Sequence, residues 1–119
     1  MARFRLSSLA RGDLTHILAV SAERWGIEGR RRYAALLTAA MRKVAAQPDG
    51  VATRDRSELA RGVRSLHLRH ARVGDGETGV RQPVHVLFYR VVRPGVVEIV
   101  RVLHERMEPS RHLGAEPDE

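Results

Sequence analysis

The sequence predicts an α+β domain in which helices pack on one face of a small antiparallel β-sheet. Three patterns carry this prediction: apolar residues at helical spacing in the first half of the chain, alternating apolar residues in the second half, and a Pro-Gly turn between the last two alternating segments. The predicted order of elements is β-α-α-β-β-β. A chain of 119 residues can form one domain with its own core and is too short for two.

The N-terminal half predicts a short strand followed by a hairpin of two helices. Residues 2–6 alternate between apolar side chains and arginine, as a half-buried strand does, and Ser7 or Ser8 can then cap a helix. The first apolar stripe stops at Gly26, and Pro48 ends the second helix because it cannot continue the hydrogen-bond ladder. The two core stripes consist of Leu14, Ile17, Leu18, Ser21 and Trp25, and of Tyr33, Leu36, Leu37, Ala40, Met41 and Val44.

The C-terminal half predicts three strands. A polar loop over residues 49–62 precedes a strand at 63–68, and a glycine-rich connection leads to two strands at 84–92 and 96–104. Arg93-Pro94-Gly95-Val96 between them fits a type II turn, since proline sets φ at its second position and glycine accepts a positive φ at its third. Residues 1–113 are therefore expected to form a single domain, followed by an acidic, flexible tail at 114–119.

Both faces of the last two strands are apolar. In strand 96–104, Val97, Ile99 and Leu103 are predicted on one face, with Val100 and Val102 on the other. Two helices of this length can cover only one face of such a sheet. The second face is covered either by the N-terminal strand and the tail of a curled sheet or by an apolar segment of a partner chain.

Composition limits the classes of function. The chain has 21 Lys and Arg against 14 Asp and Glu, a net charge of +7, which favours anionic partners such as nucleic acid, an acidic protein or a lipid surface. The absence of cysteine excludes disulfides, zinc-thiolate sites and thiol nucleophiles. Apolar runs are far shorter than the roughly 18 residues of a membrane span, so we expect a cytoplasmic protein without a membrane partner.

Two motifs resemble ligand sites but lack the required context. The sequence "GDGETG" at residues 74–79 matches a dinucleotide fingerprint, yet a strand follows it, and Asp75 and Glu77 would repel phosphate. His67 and His70 are predicted on one strand at an odd separation, which places them on opposite faces. We therefore expect no cofactor and no metal site.

A dense group of ionisable residues ends the last strand. It could support acid-base cleavage of a phosphodiester, with His104 or His112 moving protons and Arg101 or Arg106 holding the oxyanion. However, His104 and Glu105 are neighbours on a strand and point opposite ways, and the segment supplies no nucleophile. The alternative is a surface that binds another protein.

The order of several segments resembles the ParE branch of the RelE/ParE toxin superfamily over about residues 2–113. These segments are "LSSLARGDLTHI", "WG", a basic second helix ending at "QPDG", "GVRSLHLRH", "PVHVLFYRVV" and "VEIVRVLHERMEPSRHL". The resemblance implies a helical hairpin against an antiparallel sheet. It also implies a type II toxin that is not an enzyme and that inhibits DNA gyrase by protein-protein contact. A ParD-like antitoxin is expected to neutralise the toxin, and the complex of the two is expected to contact DNA only through the antitoxin.

The RelE branch has the same fold but cleaves messenger RNA on the ribosome, usually with a tyrosine near the C-terminus. Here the last tyrosine is Tyr89, inside a predicted strand. A RelE-like endonuclease is therefore the second interpretation, after the ParE-like toxin.

Two sets of contact residues are predicted for the toxin. The end of the last strand is expected to bind the target through Arg101, His104, Arg106 and His112. Apolar sheet positions flanked by arginines are expected to bind the antitoxin through Arg31, Arg64, Val100 and Val102.

Overall fold

A computed structural model describes residues 2–71 and 80–113. The glycine motif at 74–79 and the predicted tail at 114–119 lie outside the described residues. The elements, in chain order, are β1 (Arg3–Leu6), α1 (Ser8–Ala46), β2 (Arg54–Asp55), β3 (Arg64–His67), a 3₁₀ turn (Leu68–His70), β4 (His85–Arg93), β5 (Val96–His104) and α2 (Ser110–Leu113). The α+β class is confirmed.

The sheet has five strands in the order β1-β5-β4-β3-β2. Strands β2 to β5 pair antiparallel, as predicted, whereas β1 pairs parallel to β5 through Arg3–Leu6. The sheet is therefore mixed, and the prediction of a purely antiparallel sheet is wrong. Alternation predicts a strand but neither its partner nor its direction, and β1 is joined to β5 through most of the chain rather than by a hairpin.

Helix α1 begins and ends where the sequence indicates, and its middle is broken. Ser7 is the N-cap and its Oγ accepts a hydrogen bond from the Ala10 N–H at 3.0 Å. Gly26 has φ 76° and ψ −174°, which are not helical. A straight helix of 39 residues would be about 58 Å long, but the longest extent of the molecule is 38 Å. The chain turns at Gly26 within one long helical segment, and a separate two-helix hairpin is not confirmed.

The main core lies between α1 and the sheet. Tyr33, Leu36, Leu87, Tyr89 and Ile99 are buried there. The sequence assigned Trp25 to the same core, and this is wrong, because its side chain is 61% exposed. The physical reason is the backbone break at the next residue, Gly26, which ends the helical stripe one turn after the buried Ser21.

A β-bulge in β5 exchanges the faces of its last residues. Phe88 pairs with Arg101 but Tyr89 pairs with Ile99, so Val100 has no partner on β4. One extra residue shifts the alternation by one position. Val102 therefore lies in the α1-side core, opposite to its predicted face.

The chain itself covers much of the second sheet face. Phe88 and Leu103, each 2% exposed, form a second cluster with Val63 and with Leu113 of α2. Leu59, Ala60, Val86 and Val100 pack against it. Of the two explanations for the apolar second face, coverage by the chain's own residues holds for this cluster, through the segment after β2 and through α2 rather than through β1.

Candidate interaction surfaces

An open groove of about 810 Å³ runs between α1 and the end of the β4-β5 hairpin that lies away from its turn, where β4 begins and β5 ends. We call it the apolar groove. Trp25 and Met107 in its wall are 61% and 45% exposed, although both are large and apolar. Its other apolar residues are Ile17, Val20, Val80 and Val84.

Positive charge borders the apolar groove. Arg24, Arg32 and Arg81 line it, and among the described residues no aspartate or glutamate does. The Arg24 guanidinium lies 5.9 Å from the centre of the Trp25 ring, a cation-π contact that keeps the charge beside the apolar surface. The groove therefore combines exposed apolar side chains with a cationic rim.

A hydrogen-bonded network forms one end of the apolar groove. Val84 N–H donates to the Tyr33 hydroxyl at 3.2 Å, so the hydroxyl hydrogen is directed to His85 Nδ1, 2.7 Å away. Burial lowers the pKa of His85 to about 4, with a further contribution from the neighbouring His104 ring, and burial also raises the pKa of Tyr33. Both groups are consequently neutral at pH 7, which suits an ordered wall better than proton transfer.

The opposite sheet face carries a second open cleft of about 620 Å³, which we call the arginine cleft. Val86, Phe88 and Leu103 form its floor. Its ionisable lining residues are Arg54, Arg56, Arg69, Arg106, His67, His70, His104, Glu105 and Glu108. The prediction that His67 and His70 point to opposite faces is wrong: β3 ends at His67, His70 belongs to the following 3₁₀ turn, and both line this cleft.

His67 has hydrogen-bond partners on both ring nitrogens. Its Nδ1 accepts from the Arg69 N–H at 3.1 Å, so its Nε2 carries the hydrogen that faces Glu105 Oε1 at 2.7 Å. This hydrogen bond lowers the pKa of Glu105. Since both ring nitrogens already have a hydrogen-bond partner, His67 is placed to orient Glu105 rather than to abstract a proton from a substrate.

The structure brings the predicted target-binding residues to one end of β5 but gives them different surroundings. Arg106 and His112 are exposed, and His104 is partly buried, with its Nδ1 accepting from the Arg106 N–H at 3.1 Å. Arg101 instead lies between elements: its guanidinium donates twice to Asp13 at 2.9 Å and once to the His112 carbonyl at 3.2 Å. Arg101 therefore connects α1, β5 and α2.

The predicted antitoxin-binding residues are not brought together on one surface. Arg31 is exposed and pairs with Glu28 at 3.2 Å, while Arg64 donates to the Pro48 carbonyl at 3.1 Å and to Thr53 Oγ1 at 2.9 Å. Val100 is partly buried at the bulge. Val102 is only 2% exposed, so its predicted place on a surface open to a partner is wrong, because the bulge directs it into the core.

Sequence reasoning missed the two residues that dominate the apolar groove, Trp25 and Met107. The available signal was "WG", in which a bulky aromatic directly precedes a helix-breaking glycine, but it indicated only the helix end. The cleft residues Arg54 and Arg69 were missed as well, because they lie in a segment predicted as a loop and at a predicted strand end. Their proximity depends on the pairing of β2 with β3 and of β3 with β4.

The remaining motifs do not assemble a catalytic or metal site in the part of the chain that the structure describes. No group of three or more His, Asp or Glu residues within 2–71 and 80–113 could hold a metal ion. Tyr89 is fully buried and donates its hydroxyl hydrogen to the Pro48 carbonyl, so it is closed to a substrate. Within the same residues, no helix has the length and apolar character needed to cross a membrane.

Comparison with known proteins identifies the family. A family model described as the ParE toxin of the type II toxin-antitoxin system parDE matches residues 4–109. Toxin ParE1 of Caulobacter vibrioides is 37% identical over 115 residues, which span 96% of this chain and 100% of that protein. Toxin ParE1 of Mycobacterium tuberculosis is 30% identical over 111 residues, 93% of this chain and 97% of that protein. The chain therefore belongs to the ParE family and is the toxin of a type II toxin-antitoxin system.

Proposed function

We propose that this toxin inhibits DNA gyrase by protein-protein contact in the cytoplasm, without catalysis, and is neutralised by a ParD-like antitoxin bound in the apolar groove. Membership of the ParE family supports the toxin role and implies a cognate antitoxin. The observation that carries the antitoxin proposal is the exposure of Trp25 and Met107 in one groove with an arginine rim.

The groove fits an acidic, amphipathic segment of the antitoxin. Its apolar side chains would cover Trp25 and Met107, and its carboxylates would pair with Arg24 and Arg32 on the rim. Arg31, exposed on α1 next to this rim in sequence, is available to the same segment. Covering a large apolar side chain contributes about 1.5–3 kcal/mol, so the two anchors dominate the expected affinity.

The antitoxin proposal is tested by replacing both anchors. We expect Trp25→Ala with Met107→Ala to weaken antitoxin binding in calorimetry by about 3 kcal/mol, or about 150-fold, because only the exposed part of each residue, 61% of Trp25 and 45% of Met107, is left to be covered on binding. Ile27→Ala is the matched control, since Ile27 is 73% exposed two residues away and does not line the groove. If the double variant and the Ile27→Ala control lost the same antitoxin affinity, or if the double variant lost none, the antitoxin would bind elsewhere.

The proposed gyrase-binding surface is the end of β5 and the segment that follows it. His104, Arg106 and His112 supply its contacts, and Arg101 holds the backbone of His112 in place through Asp13. We expect the double variant Arg106→Ala, His112→Ala, neither of which lines the apolar groove, to relieve growth arrest while antitoxin affinity stays within threefold. A double variant as toxic as the parent would rule this surface out.

Biochemical assays separate gyrase inhibition from the alternative of ribosome-dependent RNA cleavage. Purified toxin is added to a gyrase supercoiling reaction and, in parallel, to a translating extract whose messages are mapped for cuts. We expect loss of supercoiling with accumulation of cleaved DNA, and intact messages. Codon-linked cuts with normal supercoiling would establish the endonuclease instead.

A further inference from the structure

We propose that the arginine cleft is a binding site for the phosphodiester backbone of a nucleic acid. The cleft lies on the sheet face opposite α1, away from the core that holds α1 to the sheet. This inference goes beyond the proposed function, because neither gyrase contact nor antitoxin binding requires the toxin itself to hold a polyanion.

The first support is the charge that the cleft leaves without an acidic partner. Arg54, Arg69 and Arg106 are exposed and line the cleft, and none of them lies within 4.0 Å of a described carboxylate oxygen. Arg56 pairs with Glu58 at 2.9 Å, and Glu105 is paired with His67 at 2.7 Å. Within the described residues, these three guanidinium groups lie outside ion-pair distance of a carboxylate, and guanidinium matches phosphate in a two-pronged hydrogen-bonding geometry.

The second support is the topology that assembles the cleft. Arg54 on β2 pairs with Ser65, which pairs with Phe88, so these residues form a row across three strands on one face. Arg69 follows β3, and Arg106 follows β5. The arginines thus surround a sheet floor from three separate elements instead of lying along one solvated helix face.

The third support distinguishes nucleic acid from an acidic peptide. The floor residues Phe88 and Leu103 are each 2% exposed, so they offer little apolar surface to the side chains of an amphipathic peptide. Met107, 45% exposed, lines both sites, but the larger exposed apolar residue Trp25 lies in the apolar groove. A ligand that carries charge without apolar side chains fits the arginine cleft better, and a phosphodiester chain is such a ligand.

The same burial predicts the mode of binding. Phe88, the only Phe, Tyr or Trp among the described residues that line the cleft, is covered, with the Arg56 guanidinium 5.8 Å from its ring centre, so its face is closed to stacking on a base. Recognition through phosphate alone is independent of sequence and depends strongly on salt. Three phosphate contacts on a single strand give a slope of log affinity against log salt of about −2.1, or about an 18-fold loss of affinity between 50 and 200 mM salt.

The experiment measures fluorescence anisotropy of a labelled 20-nucleotide single strand, as DNA and as RNA of the same sequence, with the purified full-length toxin from 50 to 200 mM NaCl. Arg54→Ala with Arg69→Ala should make the salt slope shallower by about 1.4 for a single strand. Arg106 is left in place because it belongs to the proposed gyrase surface. Arg54→Lys with Arg69→Lys keeps both charges and should retain the slope.

Arg93→Ala is the matched control for net charge. Arg93 is exposed at the far end of β4, five residues from the cleft residue Phe88, which is about 17 Å along a strand. We expect its salt slope to equal that of the parent.

Three results would overturn the proposal. They are absence of binding at 50 mM NaCl, an equal change of slope in the Arg93→Ala control, and displacement of the strand by a poly-glutamate peptide that binds with the same dependence on Arg54 and Arg69. The last result would make the cleft a site for an acidic protein. Gyrase inhibition is measured on the same variants, so failure of the cleft proposal and failure of the gyrase proposal are separate results.

Discussion

The ion pair between Asp13 and Arg101 should be the most sensitive polar interaction of the fold. Asp13 accepts hydrogen bonds from Arg101 Nε, from Arg101 Nη2 and from the Val102 N–H, each at 2.9 Å. The two side chains are 14% and 16% exposed, and the hydrogen bonds to Asp13 raise the pKa of Arg101. This geometry predicts a large penalty when one partner is removed.

The magnitude follows from what Asp13→Ala leaves behind. Arg101 would keep its place among α1, β5 and α2 with a single remaining acceptor, the His112 carbonyl. Removing one partner of a buried ion pair costs about 3–5 kcal/mol, and the partial exposure of both side chains favours the lower end, about 3 kcal/mol. For a domain of this size such a loss lowers the melting temperature by about 12 °C.

Urea unfolding at pH 7 measures this cost in Asp13→Ala, Arg101→Ala and the double variant. We expect the double variant to lose less than the sum of the single losses, with a coupling energy of about 2 kcal/mol or more. Arg5→Ala is the control, because Arg5 is 56% exposed and lies 3.7 Å from Glu98, and we expect it to cost below about 1 kcal/mol.

An Asp13→Ala variant within about 1 kcal/mol of the parent would refute this reasoning. It would mean that water solvates Arg101 in place of Asp13, so that the pair belongs to the surface. Additive single losses would likewise contradict direct coupling of the two side chains.

Three further perturbations test other parts of the fold. Gly26→Ala should lower the free energy of unfolding in urea by about 1–2 kcal/mol, because Gly26 has a φ of +76°. Gly12→Ala is the control: Gly12 is helical and an added Cβ meets nothing within 4 Å, so this change should raise the free energy of unfolding by about 0.5–1 kcal/mol. Equal effects of the two substitutions would contradict a requirement for positive φ at Gly26. Stability should fall as the pH drops from 6.5 toward 4, because the pKa of His85 is about 4 in the folded protein against an ordinary 6.5, so the unfolded chain binds more protons in this range. His85→Gln should remove about 2 kcal/mol of this loss, a figure that allows for the partial exposure of the ring. A variant with the same pH profile as the parent would contradict this role of His85. Leu87→Ala should cost about 2–5 kcal/mol by opening a cavity at a fully buried site, and a cost below 1 kcal/mol would show that the core collapses around it.

Local chemistry in the sequence was sufficient for several elements. The Ser7 cap, the helix break at Gly26 and the helix end before Pro48 follow from side-chain hydrogen bonding and backbone freedom of single residues. Gly95 has φ 80°, as the predicted turn between β4 and β5 requires. These features depend on a few neighbouring residues, so the sequence alone determined them.

The candidate surfaces depended on contacts between distant parts of the chain. Alternation predicted β1 but not its parallel pairing with β5, and it could not reveal the bulge at Val100, which only the register against β4 shows. That bulge moved Val102 into the core.

The sequence by itself determined the class of fold, the helix and strand signals and the resemblance to the ParE toxins, because periodicity, caps and turns are local properties. Only the tertiary structure decided which residues face a partner: Arg101 is held by Asp13, 88 positions away, and Trp25 lies open in a groove. The physical reason is that exposure and ion pairing are set by strand register and helix packing, which join residues that no local pattern connects.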